Sequence, residues 1–237
     1  MKLLVQNLLA RFGYELHSKQ HIERLAKREP FFPAGHFYSP FPDLADVSAQ
    51  AARIFSRDRS VDDVDLNEAA QLELLKSLAP LYATLPFTPA KGPGTRYWYD
   101  NPAYAYSDGI VLNGMLRLLQ PRLLIEVGSG YSTAMTLDTN ELFLGNRLEV
   151  ILIEPYPSLV LSLMKPADRE RTSLIRSRLQ DLDVTMFDKL EANDVLFIDS
   201  THVSKVDSDV NFIFFEILPR LKTGVVVHFH DVFYPFE

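Results

Sequence analysis

Leu123-Leu-Ile-Glu-Val-Gly-Ser-Gly-Tyr-Ser-Thr133 is the stretch from which the rest of the chain can be read. An apolar run carries an acid, Glu126, near its end and opens into Gly128-Ser129-Gly130. Such a run has the pattern of a buried parallel strand, and paired glycines let the backbone turn tightly and approach a ligand. A second apolar run, Val150-Ile-Leu-Ile153, ends at Glu154, 24 residues after Gly130. A nucleotide-binding βαβ unit places the acid that holds ribose hydroxyls at about this distance, roughly 20 residues on. The third position of the dinucleotide fingerprint is Thr133, neither Gly nor Ala. A threonine there keeps the helix farther from the strand than a pyrophosphate site requires. The pattern therefore favours a ribose-bearing ligand without phosphates over NAD.

At 237 residues the chain suits one large α/β domain with an extension, or two small domains. A net charge of −7 offers no basic surplus for a nucleic-acid backbone. The absence of cysteine excludes disulfides, thiolate zinc sites and a cysteine nucleophile, and fits a reducing cytoplasm. Met1, Leu4, Val5, Leu8 and Phe12 fall at helical spacing, while Gln6 and Asn7 interrupt any signal-peptide core. An amphipathic helix packed on its own domain or a partner is the reading, with a membrane surface as the minor alternative. No run is long enough to span a bilayer.

Residues 1–103 read as a helical and looped cover region. Pro30-Phe-Phe-Pro and His36-Phe-Tyr-Ser-Pro-Phe-Pro-Asp43 combine helix-breaking prolines with aromatics that seek burial, as in a loop over an active site or one capping the core. Asp65-Leu-Asn-Glu68 has capping-box spacing and leads into a helix over 66–78, where Gln71 interrupts the stripe of Leu74, Leu75 and Leu78. An aromatic loop, 97–106, precedes Asp108, an N-cap candidate for a helix over 110–119. From 104 to 237 the pattern becomes regular. Apolar runs at 123–127, 150–153, 173–175, 195–198 and 225–229 leave room for crossover helices, the pattern of a Rossmann-like α/β parallel sheet with helices on both faces. Ligands bind such sheets beyond the carboxyl ends of the strands. Those ends carry Glu126, Gly128, Ser129 and Gly130; Glu154; Gln180 and Asp181; Asp199 and His202; and His228, His230 and Asp231.

With the glycine loop, Glu154, Phe197-Ile-Asp199 and His230-Asp231 in place, the segment 104–234 resembles the class I S-adenosylmethionine-dependent methyltransferases. It is most similar to a bacterial branch whose fourth strand reads Phe-Ile-Asp and whose fifth ends His-Asp. The resemblance implies that Glu126, Gly128, Ser129 and Gly130 border the methionine part of S-adenosylmethionine. It places Glu154 on the ribose hydroxyls, Asp181 with Gln180 at the adenine amino group, and Asp199 beneath the methyl donor. An alternative for Glu126 is to hold the glycine loop. The family fold closes with two further strands after the fifth, so the expectation is a chain lacking its final antiparallel strands, or an edge covered by a second copy in a homodimer.

Methyl transfer to oxygen requires an acceptor that loses a proton, and two devices are available. The first is a metal, magnesium or manganese, held by Asp199, Asp231 and His230; some relatives hold a vicinal diolate this way, although Val232 stands where they often supply an amide or acid. The second is histidine as general base, with His230 and His202 the candidates and His228 deeper in the core. Alternation puts His228 and His230 on one face of the fifth strand and Phe229 opposite. His17, His21 and His36 carry no such context, although His36 would reach substrate if its loop is a lid. Asp207 and Asp209 read as first-turn helix acids. Phe31, Phe32, Phe37, Tyr38, Trp98, Tyr104 and Tyr106 read mostly as core, with an acceptor-pocket wall as the alternative. The expected activity is O-methylation of a small-molecule or sugar-like acceptor. Its rivals are an NAD(P)-dependent oxidoreductase and a non-catalytic cofactor-binding module.

Overall fold

Five apolar runs form one parallel sheet in the computed structural model, which describes residues 18–19, 34–36, 39–56, 58, 61, 64–234 and 236. In chain order the elements are α1 (Leu44–Ala49), α2 (Ala51–Ile54), α3 (Glu68–Tyr82), α4 (Tyr106–Leu119), β1 (Leu123–Val127), α5 (Tyr131–Phe143), β2 (Glu149–Ile153), α6 (Ser158–Leu163), α7 (Asp168–Arg171), β3 (Thr172–Ile175), β4 (Val195–Ile198), α8 (Asp209–Phe212) and β5 (Val226–Phe229). The strand order is β3-β2-β1-β4-β5, with every neighbouring pair parallel. The order reverses between β1 and β4, and a crevice opens at such a switch point. Met1–Asp62 with Phe233–Glu237 forms one compact unit, holding α1 and α2; Asp63–Val232 forms another, holding the sheet.

Side-chain alternation divides the sheet unit into two cores. Leu124, Val150, Leu152, Val195 and Phe197 face one way, against α4, α5 and α6. Leu123, Ile125, Ile151, Ile153 and Ile198 face the other, against Leu179, Phe187, Leu190, Ile213 and Ile217. The second face is covered by short 3₁₀ and π turns instead of long helices. Pro219 lies in the last of these turns, where its missing N–H prevents a regular helix. Tyr97, Tyr99 and Tyr104 of the aromatic loop are buried in the first core, which for Tyr104 is the core reading made from the sequence.

The strand readings agree with the structure to within one residue at each end, but two helix starts differ. Asp65 is no cap: its carboxylate accepts the Asn67 N–H at 2.8 Å, and Asn67, at φ 49°, precedes α3. Asn tolerates this left-handed conformation better than most residues. Asp108 is the third residue of α4, which starts at Tyr106 after Ala105. At the other end, Gln120 adopts φ 45° and donates its N–H to Leu116, and Pro121 prevents continuation. Only Leu78 of α3 is buried, lodged against Gly114 of α4, where an added Cβ would stand 2.5 Å from its Cδ2. The N-terminal helix reading and Phe31, Phe32, Phe37, Tyr38, His17 and His21 lie outside the described residues.

Two buried charges tie the sheet unit together. Asp194 accepts from the Leu123 and Arg122 N–H groups at 2.8 and 3.0 Å, aligning the starts of β1 and β4. Arg96 is 4% exposed and pairs with Asp138 of α5 at 2.7 Å and with Asp168 of α7. Asp138 also accepts the N–H groups of Arg96 and Tyr97 at 2.8 Å, clamping the aromatic loop to α5. Removing one partner of a buried pair strands the other charge, at a cost of about 3–5 kcal/mol. Arg96→Leu is expected to destabilise the chain by that amount in urea unfolding, and adding Asp138→Asn to recover part of the loss.

Candidate active site

Gly128 sits at φ +80°, and a Cβ there would lie 1.8 Å from the Asp199 carbonyl oxygen. Only glycine lets the ends of β1 and β4 meet so closely. Beside it, the Glu154 carboxylate accepts the Ser129 N–H at 3.1 Å and the Tyr156 N–H at 2.7 Å. One acid thus joins the glycine loop to the loop after β2. Between these loops opens a cavity of about 460 Å³, walled by Gly128, Glu154, Tyr156, Leu179, Gln180 and Asp199 among others. A small-ligand site typically has about 300–1,000 Å³.

Two residues expected against the ligand are placed otherwise. Glu126 is 1% exposed and turned under the loop, where it accepts from Ser132 Oγ at 2.5 Å and Thr133 Oγ1 at 2.7 Å. Thr133 Oγ1 in turn accepts the Gly130 N–H at 3.1 Å, so the unusual fingerprint residue braces the helix start. Burial pushes the Glu126 carboxyl up to about 8, against the pull of the two hydroxyls. Asp181 does not line the cavity; Arg178 holds it in a two-bond pair at 2.6 and 2.8 Å. Gln180 does line it, and donates to the Asp207 carbonyl at 2.6 Å. Ser129 Oγ is buried and has no hydrogen-bond partner among the described residues.

At the ends of β4 and β5 the remaining polar residues converge. His202 Nε2 lies 3.4 Å from Asp199 Oδ1 and 3.9 Å from Asp231 Oδ2. His230 Nε2 lies 3.5 Å from Asp231 Oδ1. Ligand atoms of Asp199, His230 and Asp231 fall within 4.8 Å of one another, close enough to share one ion. His202 and Asp231 both adopt left-handed backbone, at φ 57° and 56°. Strain of this kind gathers at functional sites. His230 packs its ring 4.9 Å from Tyr104, whose carbonyl is held by Tyr97 Oη and Asn101 Nδ2, each at 2.8 Å.

His228 shares the face of His230 and stacks on Phe197 at 4.5 Å, while Phe229 stacks on Phe214 across the sheet. Burial lowers the His228 imidazole to about 4, and among the described residues its Nε2 has no partner, so it is neutral but not satisfied as a core histidine would be. Asp108 lies close enough to this cluster to feel its charges, which spacing did not show. Burial first, then the Asp231 and Asp199 charges, raise its carboxyl, while His230 acts the other way, so the acid read as a helix cap faces the same cluster. Asp209 is the first-turn acid of α8 as read and accepts the Thr201 N–H at 2.9 Å, whereas Asp207 lies outside the helix, before its Ser208 cap. Trp98 and Tyr106 pack on Tyr131 and Tyr99. His36 belongs to the other unit.

A family model described as a methyltransferase domain matches residues 125–232. An uncharacterized protein of Archaeoglobus fulgidus is 34% identical over 167 residues, covering 68% of this chain and 75% of its own length. The resemblance points to a bacterial branch; this relative is archaeal. Among solved structures, the Podospora anserina methyltransferase PaMTH1 bound to S-adenosylhomocysteine (SAH) is 15% identical over 80% of this chain and 71% of its own, with a TM-score of 0.36. The CmcI-N160 apo-structure is 16% identical over 91% and 78%, with a TM-score of 0.39.

Two outcomes follow from the glycine loop. Gly128→Ala meets both a left-handed backbone and the Asp199 carbonyl, so a loss of at least ~2 kcal/mol in urea unfolding is expected. Gly145→Ala, left-handed at φ 62° but with nothing within 4 Å of the added carbon, is expected to cost only about 1 kcal/mol. For Glu126, the folded chain holds between about pH 4.5 and 8 a proton that the unfolded chain has released. This group therefore makes stability fall as pH rises through that window. Urea midpoints of Glu126→Gln are expected to show a shallower fall from pH 5 to 8 than those of the parent.

Proposed function

The chain belongs to the class I S-adenosylmethionine-dependent methyltransferases, and on that footing we propose that it methylates a hydroxyl of a small-molecule or sugar-like acceptor. The observation that carries this reading is the meeting of Asp199, His202, His230 and Asp231 beside the cavity that Asp199 also walls. Membership of this family sets aside the nicotinamide-dependent reading.

Three features fit S-adenosylmethionine: the side-chain-free cradle at Gly128, the partnerless Ser129 Oγ, and Glu154 at the cavity edge. Glu154 takes the ribose hydroxyls as a charge-assisted acceptor. Gly128, Ser129 and Gly130 border the methionine part, with Glu126 bracing them from behind. Gln180, not Asp181, meets the adenine. When bound, the cofactor supplies a methyl group on a sulfonium, open to in-line displacement by an aligned nucleophile. His230 takes the one proton that the acceptor hydroxyl gives up, with His202 as the alternative base. Tyr104 holds the His230 ring, and Asp231 and Asp199 orient the two imidazoles.

A divalent ion is the second reading, favoured by the Asp199, His230 and Asp231 ligand atoms within 4.8 Å of one another. Two carboxylates and an imidazole would hold magnesium or manganese, which would acidify a bound acceptor hydroxyl. Among the described residues no helix is long and apolar enough to cross a membrane, and we place the reaction in the cytoplasm. Among the described residues β5 is paired on one side only, and Phe215, in the turns between α8 and β5, is 74% exposed. A second copy of the chain covers that edge in this reading.

Calorimetric titration with SAH tests the proposal. Micromolar binding is expected, weakened about 30-fold or more by Glu154→Ala, the loss of ~2 kcal/mol of charged hydrogen bonding. His230→Ala is expected to keep that affinity and to lose transfer of labelled methyl to a panel of catechol and sugar hydroxyls. A requirement for magnesium in that transfer would select the metal reading. No SAH binding by the folded chain overturns the assignment of the cavity. Binding with no turnover in the parent chain leaves a non-catalytic module.

A further inference from the structure

We propose that the outer edge of β3 is a docking site for an extended acidic segment of a partner protein, which adds to the sheet as a further strand. Among the described residues β3 pairs with β2 alone. The Ile175 carbonyl accepts the Glu154 N–H at 3.0 Å. In a parallel ladder main-chain groups of alternate residues point to opposite sides. Ile175 and Ser173 therefore spend theirs on β2, and Thr172 and Leu174 turn theirs outward. The Thr172 N–H is taken by the Asp168 carbonyl. Among the described residues the Thr172 carbonyl and both main-chain groups of Leu174 remain as an open template.

The side chains beside this template supply selectivity. Thr172, Leu174 and Arg176 share one face of β3 and, with Leu161, Met164 and Arg169, line an open cavity of about 310 Å³. Its floor is apolar and a guanidinium stands toward each end of the strand. Between 169 and 178 the chain sets Arg169, Arg171, Arg176 and Arg178 against one acid, Glu170, although acids outnumber bases overall by 31 to 24. Arg178 is paired with Asp181 and Asp207. Arg169, Arg171, Arg176 and nearby Arg147 have no carboxylate within ion-pair distance among the described residues, whereas Arg96, Arg122 and Arg220 are all paired.

Charges on an edge strand discourage indiscriminate pairing. A row of arginines does so selectively: it repels a second β3 or any basic strand and admits an acidic one. In strand addition, main-chain bonds supply affinity and alternate side chains supply specificity. The segment that fits has acid, apolar residue and acid two positions apart, the apolar group over Leu161, Met164 and Leu174 and the acids at Arg169 and Arg176. This edge lies outside the cofactor cavity, so the inference stands apart from the proposed activity.

The test uses the full chain and a fluorescein-labelled peptide, Gly-Glu-Thr-Leu-Thr-Glu-Gly, read by fluorescence anisotropy. Saturable binding is expected, with loss of about tenfold or more in the Arg169→Glu, Arg176→Glu double variant and on raising salt from about 50 to about 500 mM. Replacing both peptide glutamates by lysine is expected to abolish it. One added strand face pairs with β3, so N-methylation at the leucine and at the two threonines should differ, one abolishing binding and the other sparing it. Unchanged thermal unfolding of the double variant shows that it remains folded. No saturable binding, equal binding of the lysine peptide, or tolerance of both N-methylated forms overturns the proposal.

Discussion

The contact between Gly128 and the Asp199 carbonyl is the constraint on which the site depends. A side chain at 128 would push β4 away from β1 at the point where the strand order reverses. With only hydrogen there, the Asp199 N–H bonds the Val127 carbonyl at 2.9 Å and the two strand ends stay level. That alignment brings Asp199 to the cavity and, through β5, sets His230 and Asp231 beside it. Parallel pairing extends the same register from β3 to β5, so a local exclusion at one residue positions groups more than 100 residues apart in sequence.

Two acids hold the glycine loop, and their surroundings give them different work. Glu126 is sealed beneath the loop, where burial favours its protonated form and the hydroxyls of Ser132 and Thr133 favour the charged one. It is a brace. Glu154 is half-buried, with oxygens on two backbone amides at the cavity rim, so a ligand hydroxyl can reach it. Burial separates a sealed carboxylate from one open to the cavity where their positions at strand ends look alike.

Alternating and continuous apolar runs made the five strands and their common ligand-facing ends readable from sequence, because burial on both faces demands them. Gly128, Glu154, Asp199, His230 and Asp231 were readable for the same reason: they end strands. Partner choice was not. Nothing in the spacing around Asp181 says that Arg178 would hold it, or that Asp108 would face the histidine cluster and not the helix N-terminus. The capping-box spacing at Asp65 was satisfied by a tighter local turn at Asn67. Each of these misses concerns a short polar side chain with several local hydrogen-bonding options of similar energy.

The central claim is that Glu154 holds the ribose of a cofactor seated against the Gly128 cradle. The most direct measurement is a binding cycle with SAH and its 2′-deoxy analogue against the parent chain and Glu154→Gln. If the account is right, removing the 2′-hydroxyl weakens binding to the parent about tenfold or more and costs the variant little further, because both changes delete one contact. Equal losses in parent and variant would show that the hydroxyl and Glu154 do not meet, and would contradict the account.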